Sequence, residues 1–239
     1  MTRPWDGVFS ETELETWRLG GYGSNAGLGE RPAVIVIDVV RAFTGDKGDD
    51  HAASVRKYRQ SCGPYAWAAI PYIERLVAGG REKGLPIVYT RAVVQPVALR
   101  TGQMRKNARA GREDPETLAR GKAWLPELTP QPGDIVIEKP KPSVFFGSPL
   151  LGYLLALRVD HLIVAGCTTS GCVRASVYDA FQYEFGVTIV QEAVFDRFPT
   201  SHKVNLFDMN AKFADVRPLA DVLADLGVVE AERLEVATT

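Results

Sequence analysis

The stretch His161-Leu-Ile-Val-Ala-Gly-Cys-Thr-Thr-Ser-Gly-Cys172 decides the fold of this chain. Its first half is a short apolar run, which predicts a strand buried on both faces of a parallel sheet. Its second half is rich in Gly, Ser and Thr, so the backbone can turn sharply there and aim N–H groups at one point. An apolar stripe at helical spacing follows and predicts an amphipathic helix over Cys172–Phe185. Strand, turn and helix in succession indicate one unit of an α/β fold.

Similar units recur along the chain. The other apolar runs that predict strands are Ala33–Val39, Pro86–Thr90, Asp134–Glu138 and Val187–Val190. The other predicted helices are Ala66–Lys83, Leu150–Leu157 and a last helix near Leu219–Leu226. Alternating strands and helices with right-handed crossovers predict a three-layer, doubly wound α/β sheet of about six mostly parallel strands, with helices on both faces.

The length of 239 residues and the hydrophobic content of 46% suit one large core, so we expect one domain over residues 33–239. Residues 1–32 contain two tryptophans and a Gly-rich run, and we expect them to form an N-terminal arm that packs on its own domain or on a neighbour. The segment Val93–Lys122 is rich in Arg and Lys, which predicts a long excursion near the active face.

Charge and composition limit the classes of partner. The formal charge of −1 gives no electrostatic reason to bind nucleic acid or an anionic membrane. No apolar run approaches the ~20 residues that a membrane-spanning helix needs. Three cysteines make no disulfide framework, and no secretory signal is evident, which favours the cytoplasm. We therefore expect a small-molecule partner.

Two candidate cofactor motifs fail on their context. Gly21-Tyr-Gly-Ser-Asn-Ala26 fits a dinucleotide-binding pattern, but it precedes the first predicted strand, whereas that motif must follow one. The histidines His51, His161 and His202 have no paired spacing for a metal. We expect neither a cofactor nor a metal.

Ionisable residues that end apolar runs mark the predicted functional edge, because open parallel sheets bind ligands at the carboxyl ends of their strands. Asp38, Lys139 and Cys172 meet this criterion. Each alone could be a solvated cap or, for the cysteine, a buried structural thiol. Together, an acid, an amine and a thiol can divide the labour of nucleophilic catalysis. A thiol at a helix N-terminus is also expected to have a lowered pKa.

Three segments carry a resemblance to a known family. They are Pro32-Ala-Val-Ile-Val-Ile-Asp38, Val136-Ile-Glu-Lys-Pro-Lys-Pro-Ser-Val-Phe-Phe-Gly147 and Gly166-Cys-Thr-Thr-Ser-Gly-Cys-Val-Arg-Ala-Ser176. The chain resembles the isochorismatase-like cysteine hydrolases. That resemblance implies a parallel sheet flanked by helices and a catalytic triad of Asp38, Lys139 and Cys172. It also implies dimers or tetramers.

Two details of the site depend on the resemblance. Lys141 is a rival for the lysine role, but the motif places the lysine four residues before Ser143, which selects Lys139. The resemblance further implies a cis peptide bond between Cys167 and Thr168. It also implies that the backbone N–H groups of Thr168 and Cys172 form an oxyanion hole.

The resemblance also narrows the substrate. Nicotinamidases carry metal-binding histidines after the first motif, and these are missing here. The chain is more similar to the branch that hydrolyses N-carbamoylsarcosine and maleamate, which implies a small anionic amide or ureido substrate. Arg197 matches the position that holds the substrate carboxylate in that branch, although an ion pair with Asp196 or Glu192 is the alternative.

Other interpretations stay open at this point. A catalytically idle scaffold would tolerate loss of Cys172, and a thiol redox protein would form a disulfide between Cys167 and Cys172. Four aromatic residues could form pocket walls or belong to the core: Phe43, Trp124, Phe145 and Phe146.

Overall fold

The computed structural model describes residues 3–93, 106 and 112–228. Within this part of the chain, six strands form one sheet in the order β3-β2-β1-β4-β5-β6, and all neighbouring strands run parallel. The strands are β1 Pro32–Ile37, β2 Ile87–Ala92, β3 Ile135–Lys139, β4 His161–Cys167, β5 Gly186–Phe195 and β6 Asp215–Arg217. The predicted three-layer α/β fold is confirmed.

Helices connect the strands and cover the sheet. They are α1 Glu11–Leu19, α2 Arg41–Thr44, α3 His51–Lys57, α4 Pro64–Glu82, α5 Pro115–Gly121, α6 Leu150–Ala156, α7 Arg174–Gln182, α8 Pro199–Lys212 and α9 Leu219–Asp225. No helix in the described ranges is long and apolar enough to cross a lipid bilayer. Most of the predicted segment Val93–Lys122 lies outside the described residues, and its last part forms α5.

Strand β1 runs through the centre of the sheet and is buried along its whole length. Its side chains alternate between two apolar clusters, with Val34 and Val36 on one face and Ile35 and Ile37 on the other. This period of two is what a pleated strand between two helical layers requires. The long helix α4 packs on the first face.

The N-terminal residues pack against helix α8 of the same chain. Trp5 is 3% exposed, and its ring meets Phe207 edge-on at a centroid distance of 5.7 Å. Phe9 lies 4.0 Å from the same ring. Further along, the backbone N–H groups of Ala26 and Gly27 donate to the carboxylate of Asp215 at the start of β6, at 2.9 and 2.8 Å. These contacts join the arm to the far edge of the sheet.

Candidate active site

The three residues selected from the strand ends lie together at the carboxyl edge of the sheet. Asp38 follows β1, Lys139 ends β3 and Cys172 lies in the turn after β4. The Nζ atom of Lys139 is 2.7 Å from Oδ2 of Asp38 and 3.4 Å from Sγ of Cys172. Asp38 and Lys139 are only 1% and 3% exposed. An acid, an amine and a thiol therefore share one site that is largely shielded from water.

A threonine that the sequence analysis did not select fixes the orientation of Asp38. Thr90, in β2, donates from Oγ1 to Oδ1 of Asp38 at 2.9 Å. The backbone N–H of Asp38 donates to the Thr90 carbonyl oxygen at 3.1 Å. Asp38 has a φ of 56°, a left-handed conformation that Asp adopts more readily than most residues. Thr90 also ends an apolar run, so the strand-end criterion would have found it if neutral polar residues had been included.

Lys139, and not Lys141, carries the ammonium of this cluster. The Lys139 side chain is buried, and its Nζ atom also donates to the backbone carbonyl of Lys141 at 3.2 Å. Although burial opposes its charge, the nearby Asp38 carboxylate and Cys172 sulfur raise the pKa of Lys139. The Lys141 side chain is exposed. The geometry thus favours Lys139 over Lys141, as the motif did.

The expectation of an acidic thiol is wrong for this structure. Burial raises the pKa of Cys172 to about 12, and the neighbouring Asp38 carboxylate adds to this, while Lys139 opposes it. Helix α7 begins at Arg174, and Cys172 belongs to a single π-helical turn, Thr169–Val173, that precedes it. Desolvation therefore outweighs any benefit from the helix terminus, and the resting thiol keeps its proton near neutral pH.

The turn that carries Cys172 is held from several sides. The peptide bond between Cys167 and Thr168 is cis. Asp196, which is 2% exposed, accepts hydrogen bonds from the backbone N–H and the hydroxyl of Ser170 at 2.8 and 2.6 Å. Ser176 Oγ donates to the Cys172 carbonyl oxygen at 2.6 Å. These contacts leave the nucleophile turn little freedom to move.

His202 is a further partner of this turn. Its Nδ1 atom lies 2.8 Å from Oγ1 of Thr169, and burial lowers its pKa, which favours the neutral ring. Sequence reasoning considered His202 only as a metal ligand, and Asp196 only as a partner of Arg197. Asp196 directly follows β5, so its place at the same sheet edge was the signal that could have identified it.

Comparison with known proteins shows the family of this chain. The isochorismatase domain matches residues 32–221. The chain belongs to the isochorismatase family. Within that family it is 33% identical over 214 residues to the maleamate amidohydrolase of Pseudomonas putida, covering 87% of this chain and 92% of the relative. It is 34% identical over 206 residues to the N-carbamoylsarcosine amidase of an Arthrobacter species, covering 85% of this chain and 74% of the relative.

A solved structure shares the fold of this isochorismatase-family hydrolase. The crystal structure of a cysteine hydrolase from Pseudomonas syringae pv. phaseolicola superposes with a TM-score of 0.69 at 20% identity, covering 82% of this chain and 92% of the other. The predicted family membership is therefore confirmed at the level of sequence and of fold.

Arg197 of this isochorismatase-family protein follows β5 and is half-buried. Its Nη2 atom donates to the backbone carbonyl of Gln60 at 2.8 Å, while its buried Nε atom has no hydrogen-bond partner among the described residues. Within the same part of the chain it forms no ion pair with Asp196 or Glu192. Glu192 instead accepts from the Leu219 backbone N–H at 2.9 Å.

A cavity of about 510 Å³ lies next to the site of this isochorismatase-family protein. Of the four candidate aromatic wall residues, Phe43 lines it. Phe145 belongs to the core, where it packs against Phe185, and Phe146 is exposed. Trp124 lies edge-on against Tyr89 at 5.8 Å.

Proposed function

We propose that this protein is a cysteine-dependent amidohydrolase that releases ammonia from a small anionic amide or N-carbamoyl compound. The contact of Lys139 Nζ with both Asp38 Oδ2, at 2.7 Å, and Cys172 Sγ, at 3.4 Å, carries the proposal. Its family membership supports hydrolysis. The names of two relatives, which specify maleamate and N-carbamoylsarcosine, support an amide substrate.

The first half-reaction starts from a protonated thiol, because the pKa of Cys172 is raised to about 12. Asp38 accepts that proton while sulfur attacks the carbonyl carbon of the substrate. Lys139 stays charged and balances the negative charge that moves between Asp38 and the sulfur. The proton then passes from Asp38 to the amide nitrogen, the C–N bond breaks and ammonia leaves.

The second half-reaction restores the thiol. Asp38, again a carboxylate, accepts a proton from water, and the resulting hydroxide attacks the thioester or thiocarbamate carbon. The C–S bond breaks and Cys172 regains its proton. An amide substrate yields a carboxylic acid, whereas a ureido substrate yields a carbamate that separates into an amine and carbon dioxide.

The proposed oxyanion hole consists of the backbone N–H groups of Thr168 and Cys172. Both belong to the turn that Asp196 and Ser176 hold in place, which supports donors that are fixed before the substrate arrives. Fixed donors matter because losing one typically costs about 3 kcal/mol of transition-state stabilisation.

Arg197 is proposed to bind an acidic group of the substrate near the scissile bond. Its planar guanidinium suits a carboxylate, and its Nε atom is the donor that no described residue uses. The hydrogen bond from Nη2 to Gln60 would hold the side chain in position for this task.

The alternatives are weaker on specific grounds. A redox function would need Cys167 to reach Cys172, but the Cys167 thiol is fully buried and its Sγ atom donates to the Asp38 carbonyl oxygen at 3.4 Å. All three cysteines are free. An idle scaffold gives no reason to bury Lys139 beside a carboxylate and a thiol, since burying charged groups is costly.

The test is ammonia release from N-carbamoylsarcosine, other N-carbamoyl amino acids, maleamate and nicotinamide. Turnover of an N-carbamoyl compound that Cys172→Ala abolishes supports a ureido hydrolase, and turnover of maleamate alone supports a dicarboxylate monoamidase. Cys62→Ala is the matched control, because it removes a buried thiol outside the cluster. Equal turnover in wild type and Cys172→Ala would refute a cysteine-dependent mechanism.

A further inference from the structure

The cavity beside the cluster lies over the carboxyl ends of β2 and β3. Arg91 and Ala92 end β2 and line it, as do Pro140–Pro142 directly after β3. The backbone carbonyl of Lys141 accepts the hydrogen bond from Lys139 Nζ, and the same residue lines the cavity. One residue of the cavity wall, Lys141, therefore accepts a hydrogen bond from the ammonium group that contacts Cys172.

The described lining of this cavity is strongly basic. Six lining residues are cationic and one is acidic: Lys57, Arg59, Arg91, Lys106, Lys122 and Lys141 against Glu113. An excess of cationic over acidic lining residues raises the local concentration of anions, which favours the entry of an anionic ligand.

Part of this charge is neutralised by ion pairs. The pairs are Lys57 with Asp46 and Asp49, Arg59 with Glu113, and Arg91 with Glu138. Lys122 and Lys141 have no carboxylate within ion-pair distance in the part of the chain that the structure describes. They are therefore available to a carboxylate from outside.

The cavity is also larger than a four-carbon amide needs. Its 510 Å³ falls within the range of roughly 300–1,000 Å³ that is typical of pockets for drug-sized ligands. Phe43, Tyr58 and Leu118 give it an apolar wall against which a methylene chain could pack.

We propose that this cavity binds the distal end of the substrate, with Lys141 and Lys122 as partners of a terminal carboxylate. The substrate class is then a primary amide or ureido compound whose flexible chain places the carboxylate several bonds from the scissile C–N bond. This inference rests on the proposed function and deepens it. Arg197 is not among the described lining residues of this cavity and follows β5, on the other side of β1, so it suits the carboxylate of a shorter substrate, which lies nearer the scissile bond.

Two matched pairs of compounds test the inference. Adipamate and adipamide have nearly the same shape, but only adipamate carries a carboxylate, and succinamate with succinamide is the short pair. In wild type we expect kcat/KM for adipamate to exceed that for adipamide at least tenfold. In the double variant Lys122→Gln/Lys141→Gln, the ratio of kcat/KM for adipamate to that for adipamide should fall by at least tenfold. The corresponding ratio for succinamate to succinamide should change less than twofold.

Lys212→Gln is the control for general electrostatics, because it removes the same charge from the exposed end of α8, outside the cavity. It should leave the adipamate ratio within twofold of wild type. An equal loss in Lys212→Gln, or an unchanged ratio in the double variant, would overturn the inference.

A binding measurement separates this inference from the proposed function. Calorimetric titration of Cys172→Ala with adipamate needs no turnover. If adding Lys122→Gln/Lys141→Gln raises the Kd at least tenfold, the cavity assignment is supported, even if wild type releases no ammonia. Absence of ammonia release would count only against the proposed hydrolysis. Unchanged Kd overturns the assignment whatever the turnover.

Discussion

Thr90 Oγ1 donates a hydrogen bond of 2.9 Å to Asp38 Oδ1, while the other carboxylate oxygen faces Lys139 at 2.7 Å. Each oxygen of the proposed base thus has a separate buried neighbour. The hydroxyl orients the carboxylate, and the ammonium of Lys139 lies against the oxygen that the hydroxyl leaves free. Thr90 is accordingly a positioning residue, since it acts through Asp38 and has no contact with the sulfur among the described hydrogen bonds.

Replacing Thr90 tests that role. Thr90→Val keeps the shape of the side chain and removes the hydroxyl, which leaves Oδ1 without its donor. A lost buried hydrogen bond to a charged group is worth about 1.5–3 kcal/mol, so kcat should fall roughly tenfold to a hundredfold. KM should change little, because Thr90 does not line the described cavity. Thr90→Ser should recover most of kcat, and failure of that rescue would indicate a purely structural effect.

The raised pKa of Cys172 predicts how its thiol reacts with iodoacetamide. With a pKa of about 12, the thiolate fraction should rise about tenfold per pH unit between pH 7 and 10, whereas that of an ordinary cysteine levels off above its pKa of about 8.5. Asp38→Asn removes a negative charge that raises this pKa. That variant should lose turnover yet alkylate faster than wild type at pH 8. Slower alkylation in Asp38→Asn would contradict the assigned electrostatics, with Cys172→Ala as the labelling control.

The hydrogen bonds of Asp196 hold the nucleophile turn in place, so weakening them should let that turn move. Asp196→Asn keeps the size of the side chain but replaces a charged acceptor of two bonds from Ser170 with a neutral one. We expect kcat to fall about tenfold or more, corresponding to roughly 1.4 kcal/mol, because the donors of the nucleophile turn move. Steady-state kinetics measure this, and Asp179→Asn, at a half-buried position in α7 outside the nucleophile turn, serves as control.

The apolar strand runs and the ionisable residues at their ends were enough to predict the sheet and the location of the site. That approach works for a buried parallel sheet because both signals are local in sequence. It missed β6, Asp215–Arg217, since this three-residue edge strand has no apolar run and only one buried residue. It also missed Thr90 and gave the wrong sign for the Cys172 pKa. Both depend on which groups from distant segments surround a side chain, and local sequence does not contain that information.

Two histidines with lowered pKa values predict that stability falls in mild acid. Burial lowers the pKa of His161, whose Nε2 atom lies 2.9 Å from Thr188 Oγ1, and likewise that of His202. In the unfolded chain the two histidines bind protons below about pH 6.5, whereas in the folded chain they do so only at lower pH. Stability that is present above pH 6.5 is therefore lost as the pH falls. Urea unfolding at pH 7.5 and 5.5 should show a loss of about 1–2 kcal/mol. His161→Gln should lose less, and an unchanged loss would contradict the assignment to His161.

Gly166 of β4 lies opposite Ile37 of β1 in the register of the sheet. Its φ of 105° is a conformation that side chains rarely adopt, and a Cβ atom there would collide with the Ile37 carbonyl oxygen and lie 2.6 Å from its backbone nitrogen. Both neighbours are backbone in the centre of the sheet, so neither can move aside.

Gly166→Ala should therefore lower the free energy of unfolding by at least about 3 kcal/mol, or prevent folding. Gly152→Ala is the matched control, because Gly152 lies within α6 and no atom comes within 4 Å of its added Cβ. That variant should gain about 0.5–1 kcal/mol from helix propensity. Urea denaturation of both variants measures the difference, and a Gly166→Ala protein as stable as wild type would contradict the close approach of β4 to β1 on which the placement of the Cys172 turn depends.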